Sequence, residues 1–372
     1  MTESPNEKKK STVLTRGQLL FCVMSIAALA LTFIYSDVAI SSMASGMKLC
    51  VTTVIPALFP FMVFSELFVS SGGARFVGKL VGYPFCKLFG ISREGSSAVI
   101  LGFLCGFPIG AKSASSLYEG GRISREELEH ICSFCNNPSS AFLISAVGAS
   151  LFGSQFFGIL LYLSHILSSL TVGVLGRPYF YSRKNVRYCK KAQECEIKHS
   201  IFGDTVKAIT SSAQNMLFIC AFVVFFSALT GYIRLSFSLL QLPEALRALA
   251  IGFFEMTGGA AEVASLPEEW AIPAVAAITG WAGLSVHFQF IGICSEHKLS
   301  FAPYFICKVA NALLNAVYIS LLSIAFSKYL KLELNGSVPS LLSKDICLPS
   351  VLIFSFFGLA CLALFLKSRK KR

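Results

Sequence analysis

The chain has 372 residues, of which 54% are hydrophobic, 34 are phenylalanine and only 14% are charged. A soluble domain carries about 25% charged residues, and apolar runs of bilayer length recur along the whole chain, so the composition predicts an all-α polytopic membrane protein. The runs are continuous and do not alternate every second residue, which excludes a β-barrel.

The net charge of +12 invites a nucleic-acid reading, but the basic residues gather in Lys8–Lys10, Arg75–Arg93, Arg177–Lys198 and Lys367–Arg372. That is the pattern of cytoplasmic loops and tails under the positive-inside rule, so no nucleic-acid partner is expected. Most of the thirteen cysteines lie in apolar runs, where a free thiol behaves as a small hydrophobe.

In chain order, residues 1–16 read as a disordered cytoplasmic tail and 17–37 as the first transmembrane helix, retained because no small-residue cleavage site follows it. A first repeat is predicted over 40–176. It opens with a span near 47–69 that carries Pro56 and Pro60 as a kink. An amphipathic basic stretch at 71–94 suits a surface helix. Two short apolar pieces follow, about 95–108 and 134–151, separated by SLYEGGRISREELEH, where Ser124 and Glu127 stand in capping-box spacing at the start of a short polar helix. A full span near 156–175 leads to a basic cytoplasmic loop, 177–200.

The second repeat, 203–328, has a span near 208–232, an amphipathic stretch RLSFSLLQLPEALR, a short piece at 248–257 with a Gly-rich break, a run broken at 280–283, and a span near 304–327. A polar loop, a last helix at 348–367 and a basic tail, 368–372, complete the chain. The orientation count places both termini in the cytoplasm.

ILGFLCGFPIGAKSA (100–114) aligns without gaps on AIGFFEMTGGAAEVA (250–264), and FCNNPSSAFLISAVG (134–148) falls opposite AITGWAGLSVHFQFIG (277–292). The first unit is expected to start outside and the second inside, which makes them inverted-topology repeats with broken or re-entrant helices. Paired Gly/Pro-interrupted segments in such repeats point to the binding site.

Unwound backbone at membrane depth survives only beside a cavity or a ligand. Asn136 and Asn137 supply amides, Pro138 removes a donor, and Ser139 and Ser140 cap the half-helix that follows, whose N-terminus suits an anion. In GFPIGAK, Gly106 and Gly110 permit close backbone approach, Phe107 offers a ring, Pro108 ends the helix, and Lys112 either supplies a cation or snorkels to the interface. Glu255 stands opposite Cys105, with Thr257 and Gly258 beside it, and Glu262 opposite Lys112; an intramembrane carboxylate is functional by default. Ser285, His287 and Gln289 either line a cavity or pack against neighbours, with Trp281 just before them. Asn311 and Asn315, at i and i+4, are either interhelical glue or cavity lining. Cys132 and Cys135 lack a full zinc ligand set. No metal, cofactor or enzyme motif is found.

GFPIGAK (106–112) followed by LYEGGRISREELEHICSFCNNPSSAFLISAVG (117–148) resembles the YlbJ (SpoVV) family of sporulation integral membrane proteins, in the nucleoside-recognition or gate domain group, which looks like the concentrative nucleoside transporters. The resemblance covers roughly residues 40–330. It implies a secondary transporter of dipicolinate, a small aromatic dicarboxylate anion, from mother cell to forespore through the outer forespore membrane. A proton or sodium ion is the coupling ion such a transporter would use. Half-helix N-termini, the asparagines and Lys112 suit the dianion, and Phe107, Phe134 or Trp281 suit its ring. An ion-coupled nucleoside transporter and a non-transporting scaffold for spore-envelope assembly are the other readings.

Overall fold

A computed structural model describes residues 16–71, 73–181, 201–297 and 299–326, and the last predicted helix at 348–367, both tails and most of the basic loop lie outside them. Among the described residues the chain is helical throughout, without strands. Five helices are long and apolar enough to cross a membrane, or up to seven spans if each bent pair counts as one.

Helix α1 (Arg16–Ile34) leads into α2 (Ser36–Leu49), which continues through a π-helical turn at Cys50–Val54 into α3 (Ile55–Ser70). The axis bends by 53° between 36–54 and 58–68, where Pro56 and Pro60 delete backbone donors. The kink expected at Pro56 and Pro60 is thus present as a bend between two helical pieces, the first of which starts earlier than 47. Helix α4 (Gly73–Phe89) turns by 95° into α5 (Arg93–Cys105).

A first break leads to α6 (Ile109–Glu119), and α7 (Arg125–Cys135) ends at a second break, after which a π-helical segment, Phe142–Leu151, precedes the long α8 (Gln155–Tyr181). Ser124 caps α7 as its spacing predicts, accepting from the Glu127 amide at 3.1 Å. The Glu127 carboxylate does not reach back to close a capping box. It accepts from Ser92 N and Ser92 Oγ, both at 2.6 Å, and ties α7 to the start of α5. The short polar helix and the apolar CSFC piece are thus one helix.

In the second half, α9 (Ile201–Leu239) takes in the first residues of the stretch read as a separate amphipathic element, which then breaks at 240–243 before the next helix begins. A side chain at Gly231 of α9 would collide with Ser42 of α2, and Ser227 meets Gly46 in the same way. Small residues let the two helices approach closely. Helices α10 (Glu244–Phe254), α11 (Met256–Val263), α12 (Glu268–Trp281), α13 (Gly283–Cys294) and α14 (Phe301–Ala325) follow.

Helix α14 packs along α12 on one side and α8 on the other, with α7 also against it. Outward positions form apolar stripes at helical spacing, such as Ile306, Val309, Leu313, Val317 and Leu321 on α14 and Leu163 and Leu167 on α8. A water-facing surface would not carry such stripes; they suit lipid.

Candidate functional site

The α5–α6 break opens at Gly106, whose φ of 72° and ψ of −166° fall where essentially only glycine goes. A Phe107–Pro108 cis bond follows. The carbonyls at the end of α5, which have no helical partner, find others. Phe103 O accepts from Tyr162 OH of α8 at 3.0 Å, and Leu104 O from Ser140 Oγ at 3.4 Å. The freed Phe107 amide donates to Asn137 O at 2.8 Å, so the first break is bonded to the second. At that second break Asn137 N turns back to Cys135 O, and Ser139 Oγ accepts from the Phe142 amide at 3.1 Å.

The second half is arranged alike. Between α10 and α11 the extended residue is Glu255, whose carboxylate accepts from the Thr257 amide at 2.8 Å and from the Gly258 amide. Phe253 O, 150 positions after Phe103, accepts from Trp281 Nε1 at 3.0 Å. Ala282 and Gly283, at φ 77° and 78°, both take left-handed backbone between α12 and α13. A side chain on Gly283 would strike Met256 N and Glu255 Cα, just as one on Gly106 would strike Ser139. Within each hairpin the helices touch through glycines, Gly102 on Gly110 and Gly252 on Gly259.

All four breaks meet near one cavity of about 30 Å³, lined by Phe107 and Ser139 from the first half, Glu255, Thr257, Ser285 and Gln289 from the second, and apolar residues of α3 and α9. Six predicted residues are therefore brought together. Gln289 is 3% exposed and its Oε1 has no partner.

Behind that wall lies a buried polar network, and at its centre is a residue the sequence reading passed over. Lys308 of α14 is 0% exposed. Its ammonium donates to Asn136 O and, at 3.4 Å, to Asn137 Oδ1. Asn136 Nδ2 donates to Tyr304 OH at 3.0 Å, which meets His287 Nδ1 at 2.9 Å. Asn137 Oδ1 also accepts from Ser169 Oγ at 3.1 Å.

Asn311 Oδ1 accepts from Ser168 and Ser169, and its Nδ2 donates to Gly280 O at 3.2 Å. Asn315 accepts from Ser164 at 2.7 Å and donates to Ala276 O at 2.8 Å. These two asparagines thus join α8, α14 and the carbonyls of α12, the interhelical arrangement. A lysine within FAPYFICKVANALLN and the polar face Ser164, His165, Ser168, Ser169 of α8 were the available signals.

The other predicted residues lie elsewhere. Lys112 is exposed and bonds Asn215 Oδ1 of α9. Gly110 packs on Gly102, and Pro108 is buried in its turn. Pro138 is buried at the second break, Ser140 serves Leu104, and Gly258 serves the Glu255 cap. Trp281 stacks on Phe253, centroids 5.3 Å apart. Phe134 stacks on Phe89 at 5.0 Å, away from the cavity. Glu262 is paired with Arg234 at 2.7 Å and Arg247 at 3.1 Å. Among the described residues, no three His, Cys, Asp or Glu side chains gather closely enough to hold a metal ion.

No family model matches the chain, and no solved structure matches it. It is similar to "Sporulation integral membrane protein YlbJ" of Bacillus subtilis (strain 168), 29% identical over an alignment that covers 85% of this chain and 84% of that protein. Polytopic apolar helices and a match across most of both chains agree in likening this chain to a sporulation integral membrane protein.

Proposed function

We propose that this protein is a secondary transporter of a small organic anion, dipicolinate, moved from mother cell to forespore across the outer forespore membrane, with both termini cytoplasmic. In this reading it is not an enzyme; its partners are the anion, a coupling proton or sodium ion, and the bilayer. The observation that carries it is the convergence of four helix breaks on one polar-edged cavity, since a scaffold has no use for unwound backbone held inside a bundle. The relative's printed name supports the sporulation context.

Inverted repeats, as in the concentrative nucleoside transporters, are part of the same reading. The gapless offset of 150 positions, the matched Phe103 and Phe253 carbonyls, and the glycine contacts that repeat in both hairpins support them. A cavity of about 30 Å³ holds roughly two waters and no aromatic ring. Loading a solute therefore requires the wall, built from the breaks and from α3 and α9, to open.

A second reading, an ion-coupled nucleoside transporter, is favoured by one feature: the wall carries the Glu255 carboxylate and no basic side chain. Spore dipicolinate content in strains carrying Asn137→Ala or Phe107→Ala at normal protein level tests the proposal. Loss of accumulation is expected; full accumulation in a null strain overturns it. Binding of uridine or adenosine but not dipicolinate by the purified protein selects the second reading.

A further inference from the structure

Lys308 has surroundings unlike those of a structural lysine. It is the eighth residue of α14, about 10 Å along the helix from its start, and 0% exposed, so it does not snorkel. Among the described residues no carboxylate lies within ion-pair distance. Its partners are neutral oxygens, the Asn136 carbonyl and the Asn137 amide. Unwound carbonyls and side-chain oxygens at a helix break are what transporters present to a coupling cation. Here an ammonium tethered to α14 takes that place.

The other titratable groups around it also lack a negative charge to hold it. Cys132 and Cys135 face it from α7, His165 from α8, His287 from α13, and Tyr304 and Cys307 from its own helix. An uncompensated buried ammonium is costly unless its charge is used.

We propose that Lys308 is the coupling site: its amine takes up the proton carried in each transport cycle, and the resulting ammonium holds the Asn136–Asn137 break in place. A proton from water on one side adds to the Nζ lone pair, and the same proton leaves to water on the other side, restoring the neutral amine. No other bond changes. Loss of the proton weakens both anchors of the break. The relay through Asn137, Ser169 and Asn311 to Gly280 O carries that change to the α12–α13 break, and Tyr304 carries it to His287 beside the cavity wall. The coupling role rests on the transporter reading; the proton-dependent break does not.

The test has two arms. Hydrogen exchange by mass spectrometry on the purified full chain follows the peptide 134–142 from about pH 7 to about pH 10, the range leading to ordinary lysine titration. After correction for intrinsic exchange, wild-type protection is expected to fall at least tenfold. Lys308→Arg, which keeps its charge, and Lys308→Gln, which has none to lose, are expected to stay level. The same fall in either well-folded variant overturns the proposal. In proteoliposomes with an imposed pH gradient, wild type is expected to concentrate labelled dipicolinate, while Lys308→Arg exchanges it without concentrating it; concentration by Lys308→Arg overturns the coupling role. Wild-type vesicles that move no dipicolinate count against the transporter reading, and the exchange arm still decides Lys308.

Discussion

The amide nitrogen of Asn311 lies 3.2 Å from the carbonyl oxygen of Gly280, two residues before the left-handed turn at Ala282, while its amide oxygen accepts from Ser168 at 2.7 Å. One side chain thus satisfies the end of α12 and ties it to α8. Asn311→Ala leaves the buried Gly280 carbonyl without its side-chain donor, while Ser168 keeps His165 O and Ser169 keeps Asn137 Oδ1. Thermal unfolding in detergent is expected to show a loss of about 1–3 kcal/mol, whereas Val317→Ala on the lipid face, where the side chain is 54% exposed, changes little.

Gly106 and Gly121 both have positive φ, at 72° and 64°, but an added side chain meets Ser139 at the first and open space at the second. Gly121→Ala is expected to cost about 1 kcal/mol, from backbone strain alone. Gly106→Ala adds a collision between two breaks and is expected to abolish stable folding or transport. Parallel measurements of membrane yield and melting temperature check the contrast.

Glu255 spends its carboxylate on two amides of α11 yet also lines the cavity. Against a dianion it is a like charge, worth about 1 kcal/mol at a few ångströms even in water-like surroundings. Glu255→Gln is therefore expected to tighten dipicolinate binding about fivefold and to weaken binding of a ligand that donates hydroxyls, such as a nucleoside. Titration calorimetry with both ligands measures the two signs.

Burial pushes the Glu127 carboxyl above its ordinary value of 4.5, against the two Ser92 hydrogen bonds that pull it down. A carboxyl that binds its proton more tightly when folded loses stabilising effect as pH rises through its folded value. The melting temperature of the wild type relative to Glu127→Gln is expected to be more favourable at about pH 5 than at about pH 8. An opposite slope would show the hydrogen bonds outweighing burial.

The positions of the breaks were legible because Gly106, Pro108 and the Asn136–Asn137–Pro138–Ser139 run are local chemistry, and the chain obeys it there. The same is true of the Ser124 cap. Partnerships were not legible. Whether Asn311 faces a solute or another helix depends on where α8 lies, and no local pattern fixes that. Lys308 was hidden because its run is apolar on either side and reads as ordinary span. Lys112 was open between a cation for a solute and a snorkelling residue, and it points out toward Asn215 of α9.

Gly106 abuts Ser139, and Gly283 abuts Glu255 and Met256. Neither member of such a pair can straighten without pushing its partner aside. Each half therefore has two breaks geared together, and an opening of the cavity on the side of the breaks engages at least two helical hairpins at once. In the transporter reading proposed above, that coupling makes opening a discrete step and not a gradual loosening of one loop.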